Sequence, residues 1–132
     1  MTVTFFDLQE LSNSMNGVRI KNQKELDEAL EQLRNREPFF FELFGENGYK
    51  LLVGFGDTIG CVQHSPADGD TPYLIAVAPG AREVEDYFEF LAGNTPTPIS
   101  KRYCMSWEQV RQIIAHFLET GARSSDFSWD EV

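Results

Sequence analysis

The clearest hydrophobic pattern in the chain predicts an amphipathic helix near its C-terminus, over residues 106–121. Ser106 can cap the first turn with Gln109 as its capping-box partner, and Gly121 stands where a helix commonly ends. The apolar side chains of this helix form a wide stripe, which needs a covering surface, most simply one face of a sheet. The apolar residues recur at helical spacing, and they are Trp107, Val110, Ile113, Ile114, Phe117 and Leu118.

A second, shorter helix is predicted to begin after Asn22. Asn22 is a suitable cap, and Glu25 stands three residues later at the capping-box position. Pro38 requires the helix to have ended before it. The apolar stripe is formed by Leu26, Ala29, Leu30 and Leu33, and the opposite face is mostly charged.

The remaining apolar segments are short and predict strands. Asn47-Gly48 and Gly56-Asp57 are turn signals, so the middle of the chain is expected to form an antiparallel meander. A loop is predicted over residues 93–98, which contain two prolines. We therefore expect one α+β domain over residues 1–132, a curved, mainly antiparallel sheet of about five to seven strands with two helices packed on one face. The predicted strands cover residues 2–6, 18–20, 39–44, 49–55, 58–64, 73–78 and 83–90.

Charge narrows the classes of partner. The chain has 11 Lys and Arg residues against 21 Asp and Glu, a formal net charge of -10. Nucleic acid and anionic membranes would be repelled, so neither is expected as a direct partner. The acidic excess either favours a basic partner or serves only solubility, and the sequence leaves both interpretations open.

The two cysteines and the N-terminus indicate a cytosolic protein. Cys61 and Cys104 form no CxxC motif and no Cys/His cluster, so no metal site is expected. One disulfide is formally possible, but free thiols in a reducing compartment are the simpler interpretation. The N-terminus lacks a basic and apolar leader, and no stretch approaches the roughly 18 apolar residues of a membrane span.

The chain carries few groups that suit catalysis, and they leave one alternative function. His64 and His116 lie on different predicted elements, Cys104 has no base placed near it, and no phosphate-binding loop or cofactor motif is present. The alternative is an enzyme or small-ligand site that uses His64 and Cys61. A deep apolar cleft lined by His64, with a strongly shifted pKa, would support it, and a filled sheet face would exclude it.

The predicted strand over residues 83–90 is unusually acidic. Side chains alternate across a strand, so Val84, Phe88 and Phe90 are expected to pack. The opposite face would then be either solvated or a docking surface for a basic partner, with Tyr87 as an aromatic anchor. Asp57, Asp68 and Asp70 would extend this patch. The exposed row consists of Glu83, Glu85, Tyr87 and Glu89.

The end of the chain carries a recognisable motif. A capped helix that begins with Trp107 leads into Phe-x-x-x-Gly-x-Arg and a terminal Trp, which are Phe117, Gly121, Arg123 and Trp129 in this chain. This ending resembles the immunity protein 1 family of bacterial polymorphic-toxin systems. Members of that family often have proline after the arginine, where this chain has Ser124.

The resemblance implies a cytosolic, non-enzymatic α+β protein that binds and neutralises a cognate toxin domain without a cofactor. Several toxins paired with this family are nucleic-acid deaminases, whose active-site mouth should be basic. An acidic inhibitor would occlude such a mouth by charge and shape. The motif residues are expected to be structural: Phe117 in the core, Gly121 at the helix end, and Trp129 covering the sheet or the helix. The sequence leaves the oligomeric state open.

Overall fold

The computed structural model describes residues 1–132. It contains two helices, α1 (Gln23–Glu31) and α2 (Trp107–Thr120), and a 3-10 turn at Lys101–Tyr103. The ten strands are β1 (Val3–Asp7), β2 (Arg19–Ile20), β3 (Phe39–Gly45), β4 (Tyr49–Phe55), β5 (Ile59–Pro66), β6 (Leu74–Val77), β7 (Tyr87–Ala92), β8 (Thr95–Ser100), β9 (Met105–Ser106) and β10 (Ser128–Glu131).

The strands form one open and mainly antiparallel sheet. The hydrogen-bonded order is β10-β6-β5-β4-β3-β1-β2, with β7 joined to β3 and β8, and β9 joined to β5. The pairing of β7 with β3 is parallel and is confined to Phe39 opposite Leu91. The predicted α+β class is therefore confirmed, although the sheet has ten strands rather than five to seven.

Both helices pack on the same face of the sheet, as predicted. Ser106 Oγ accepts the backbone N–H of Gln109, and the Gln109 side chain accepts the backbone N–H of Ser106, each at 3.2 Å. Gly121 ends α2 with φ 75°, which favours glycine. Alternation along β3 and β4 turns the larger apolar side chains toward the helices. The core on this side includes Phe5, Leu26, Leu30, Phe39, Phe41, Leu43, Val53, Val110, Ile114 and Phe117.

The opposite face of the sheet is covered by the β7–β8 hairpin. Phe90 is fully buried there and packs on Phe40, with ring centroids 5.3 Å apart. Gly54 of β4 lies beneath that ring. A Cβ on Gly54 would stand 2.8 Å from Phe90 and 2.7 Å from Cys61 Sγ, closer than such contacts occur. The hairpin therefore requires glycine at residue 54.

The prediction for residues 83–98 was wrong at both ends. The strand begins at Tyr87 rather than Glu83, and the predicted loop over residues 93–98 contains most of β8. Gly93 and Asn94 have φ 55° and 64°, the left-handed conformation of a two-residue hairpin turn. This turn pairs Tyr87 with Ser100, where the 3-10 turn begins, so residues 83–86 have no partner strand. The prolines are tolerated because β8 is an edge strand.

The C-terminal tail forms the edge strand β10, which the sequence did not predict. Trp129 pairs with Ala76 of β6 and packs against the helix-side core. Its Nε1 donates a 3.0 Å hydrogen bond to the carbonyl oxygen of Ser124. Trp129 thus lies over one end of the sheet.

Candidate functional site

The acidic residues of the predicted strand are exposed but do not form one row. Tyr87 and Glu89 alternate onto the outer face of the hairpin, and Tyr87 is 60% exposed. Glu83 and Glu85 lie in the irregular segment before β7, where the strand alternation does not apply. Val84 was expected to pack, but it is 44% exposed for the same reason.

Cations offset part of the negative charge around the hairpin. Lys101 Nζ lies 2.8 Å from Asp86 Oδ2, and this hydrogen bond holds the pKa of Asp86 below its usual value. Arg102 Nε lies 3.6 Å from Glu83 Oε1 and 3.2 Å from Asp130 Oδ2. Arg102 therefore joins the segment before β7 to β10.

The three aspartates expected to extend the acidic patch lie apart. Asp57 is in the turn before β5, whereas Asp68 and Asp70 are in the loop after it. Eight residues of strand, at about 3.3 Å each, separate the two turns by more than about 20 Å. Asp68 Oδ1 and Asp70 Oδ1 also accept backbone N–H groups of their own loop. The acids therefore form several small surfaces.

A cleft lies beside the C-terminal end of α2. It has a volume of about 530 Å³ and draws its walls from β4, β5, β6 and the segment that follows α2. His64 lines it and is 7% exposed. The imidazole stacks on Tyr49 with ring centroids 4.9 Å apart, and it meets the rings of Phe117 and Trp129 edge-on. Among the residues that line the cleft are Tyr49, His64, Pro66, Pro72, Arg123 and Trp129.

His64 is neutral over the physiological range of pH. Burial, reinforced by the positive charge of Arg123, lowers the pKa of His64 to about 4. Its Nε2 is buried and has no hydrogen-bond partner. An unpartnered polar atom in a protein interior is destabilising unless something satisfies it.

Cys61 does not belong to this cleft. It lies on the opposite face of β5, next to Gly54 and packed with Phe40 and Phe90. Burial strongly raises the pKa of the Cys61 thiol and raises that of Cys104 to about 11, so neither is a ready thiolate. The alternative site that would use both His64 and Cys61 is therefore not formed, because residues three apart on a strand point to opposite faces.

His64 should make the protein less stable as the pH falls. An unfolded histidine has a pKa near 6.5, whereas His64 in the folded protein titrates at about 4. Between these values only the unfolded chain takes up the proton, so the free energy of unfolding should fall by about 2 kcal/mol from this group between pH 7.5 and pH 5. Urea unfolding of the wild type and His64→Phe at both pH values measures this difference. Equal pH dependence in the two proteins would contradict it.

The cleft brings together three residues of the C-terminal motif. Gly121, Arg123 and Trp129 all line it, while Phe117 packs beneath. Asn47 Nδ2 donates to the carbonyl oxygen of Gly121 at 2.8 Å, and a Cβ on Gly121 would stand 2.5 Å from that nitrogen. The sequence indicated a structural role for the motif, but it did not indicate that Tyr49 and His64 would meet it.

Comparison with protein families decides the class of the chain. The family model described as immunity protein Imm1 matches residues 15–131. The chain belongs to the Imm1 immunity protein family. The match ends two residues past Trp129 and includes the cleft and the hairpin. The suspected resemblance is thereby confirmed.

Membership in the Imm1 family implies that the partner is a toxin and favours a non-enzymatic role. No curated protein matches the chain. Neither helix combines the length and the apolar character needed to cross a membrane. No three His, Cys, Asp or Glu side chains are grouped closely enough to hold a metal ion.

Proposed function

We propose that this Imm1 chain acts in the cytoplasm as a single domain over residues 1–132 and neutralises one cognate bacterial toxin by binding it. The observation that carries the proposal is the family match over residues 15–131. The chain performs no chemistry of its own in this account. It lowers toxin activity by occupying the toxin in a stable complex.

The charge of the chain supports a basic toxin that acts on nucleic acid, of the deaminase type. An enzyme that binds a polyanion needs a basic surface around its active site. A chain with a net charge of -10 would be drawn to that surface and would compete with the substrate for it. Inhibition would then arise from charge and shape together.

We place the main acidic contact on the hairpin and the segment before it. Tyr87 offers an exposed aromatic ring, and Glu85 and Glu89 carry charges with no salt bridge in the free protein. Glu83 can exchange Arg102 for a toxin cation, because its side chain is largely exposed. Asp57 and the loop with Asp68 and Asp70 would be outlying contacts.

Co-expression tests the proposed function directly. The toxin domain encoded beside this chain should arrest growth when expressed alone, and co-expression of the chain should restore growth. The two proteins should also elute together in size-exclusion chromatography. Growth arrest that persists with the chain present at equal or higher level would exclude the proposal for that toxin.

Charge reversal tests the acidic contact. Glu83, Glu85 and Glu89 changed together to Lys should raise the Kd of the toxin complex at least about tenfold at low salt, because like charges would then face each other. The matched control changes Glu28, Glu37 and Glu119 to Lys, three acids on or near the helix layer without salt bridges. Both variants change the net charge equally, so equal weakening would show that only total charge matters.

For the alternative, a small-ligand or enzymatic site, the structure provides a cleft lined by His64, but Cys61 lies outside it. The cleft contains a neutral histidine, yet no carboxylate or thiol lines it to act as a catalytic partner. Its groups suit binding better than catalysis. We therefore treat the cleft as part of the toxin-binding surface.

A further inference from the structure

The cleft beside α2 differs in charge from the rest of the molecule. Twenty-one acidic residues are distributed over the chain, but none lines this cleft. Its one charged side chain is Arg123, which is exposed and makes no salt bridge. The Arg123 guanidinium carbon lies 5.9 Å from the centre of the Trp129 ring. The free protein thus holds an unpaired cation beside an aromatic wall.

The floor of the cleft contains a polar atom whose hydrogen-bonding capacity is not satisfied. Nε2 of His64 is buried without a hydrogen-bond partner, although the ring is fixed by Tyr49, Phe117 and Trp129. A neutral imidazole has one N–H to donate and one nitrogen to accept. The ring therefore lines the cleft with a hydrogen-bonding nitrogen that has no partner in the free protein.

We propose that this cleft receives an acidic side chain, Asp or Glu, of the toxin, with Arg123 as its counter-ion. This inference rests on the proposed function. It adds one contact in which this chain supplies the cation and the toxin supplies the acid, the reverse of the contacts at the acidic surfaces. A guanidinium binds a carboxylate through two parallel N–H groups, which fixes orientation as well as distance. The Tyr49 and Trp129 rings would enclose the methylene groups of the acid.

The rim of the cleft supports a partner that carries both signs of charge. Pro66 and Pro72 line the cleft, and they bracket the loop that carries Asp68 and Asp70. A toxin acid that reached Arg123 would thus bring its neighbouring residues toward two carboxylates. The matching surface is an acidic side chain surrounded by basic ones. Such a pattern would fix how the two proteins are oriented in the complex. Uniform attraction between opposite charges does not fix that orientation.

Substitution of Arg123 distinguishes this contact from long-range charge attraction. The two predict changes in the Kd of the complex in opposite directions. Removal of a positive charge from an acidic inhibitor should slightly tighten its binding to a basic toxin. If Arg123 holds a toxin carboxylate, Arg123→Gln should instead raise the Kd about 10- to 100-fold, and Arg123→Lys should have a smaller effect. Isothermal titration calorimetry with the purified toxin domain measures these values.

The control is Lys24→Gln on α1. Lys24 is exposed and makes no salt bridge. Its removal should leave the Kd within about twofold of the wild-type value. Arg123→Gln binding as tightly as the wild type or more tightly would overturn the cleft contact and leave the proposed function intact. Failure of the wild type to bind the toxin would overturn both. Circular dichroism confirms that each variant is folded.

Discussion

Asp7→Asn is expected to lower the free energy of unfolding by about 3 to 5 kcal/mol, the cost of leaving one partner of a buried ion pair alone. Asp7 ends β1 on the helix side of the sheet and is fully buried. Arg36 Nη1 donates to its Oδ2 at 2.8 Å, and Asn13 Nδ2 donates to the same oxygen at 3.0 Å. The backbone N–H groups of Gln9 and Glu10 donate to Oδ1.

These bonds make Asp7 the centre of the loop between β1 and β2. Burial by itself would raise the pKa of Asp7, but the hydrogen bonds from Arg36, Asn13 and the Glu10 backbone outweigh it, and the pKa is lowered. The carboxylate therefore stabilises the fold above its ordinary pKa near 3.8. That contribution is lost as the pH falls through the lower value of the folded state.

Asp27→Asn is the matched control for Asp7→Asn. Asp27 also accepts two hydrogen bonds from one arginine, at 2.7 and 3.3 Å from Arg111, but its side chain is 41% exposed. A solvated pair should contribute about 1 kcal/mol or less. Urea denaturation of both variants at pH 7 measures the difference, and equal costs would show that burial does not set the strength of these pairs.

Phe90→Ala is expected to cost about 3 to 5 kcal/mol and to loosen the β7–β8 hairpin. Phe90 is fully buried between the sheet and the hairpin, with Phe40 and Phe88 at 5.3 and 5.1 Å between ring centroids. The hairpin joins the ladder of the sheet only where Phe39 stands opposite Leu91, and hydrogen bonds from Gly93 N–H to the Leu8 carbonyl oxygen and between Gln9 and Asn94 hold its turn. These bonds lie at the turn end, so the rest of the hairpin depends mainly on side-chain packing.

Hydrogen exchange should report that loosening. Amides of β7 and β8 should exchange faster in Phe90→Ala, whereas β4 and β5 should change only with global stability. Tyr87→Ala on the exposed side of the same strand is the control, with an expected change within about 0.5 kcal/mol. A hairpin that stays fully protected in Phe90→Ala would contradict the account of how it is held.

The sequence predicted correctly the elements whose ends are determined by residues close to one another in the chain. The capped helix α2 and strand β4 begin and end as the sequence indicated, because caps, turns and periodicity lie within a few residues of each other. Strand β8 was missed because Pro96 and Pro98 argue against a strand, although Gly93-Asn94 is a sound hairpin signal.

The remaining features depend on contacts between distant residues. Asp7 lies one residue beyond the strand predicted over residues 2–6, so neither its burial nor its pairing with Arg36 was predicted. The cleft unites Tyr49, His64, Arg123 and Trp129 from different elements. Their meeting is set by strand order and register, which one sequence does not specify.

The most direct test of the account is a titration of the toxin with the purified chain. The activity of the toxin domain should fall in proportion to added chain and reach zero at about one equivalent, because the proposed neutralisation works by complex formation. The complex should be recovered with both proteins intact. Full toxin activity in the presence of several equivalents, or complete loss at a small fraction of one equivalent, would contradict stoichiometric neutralisation.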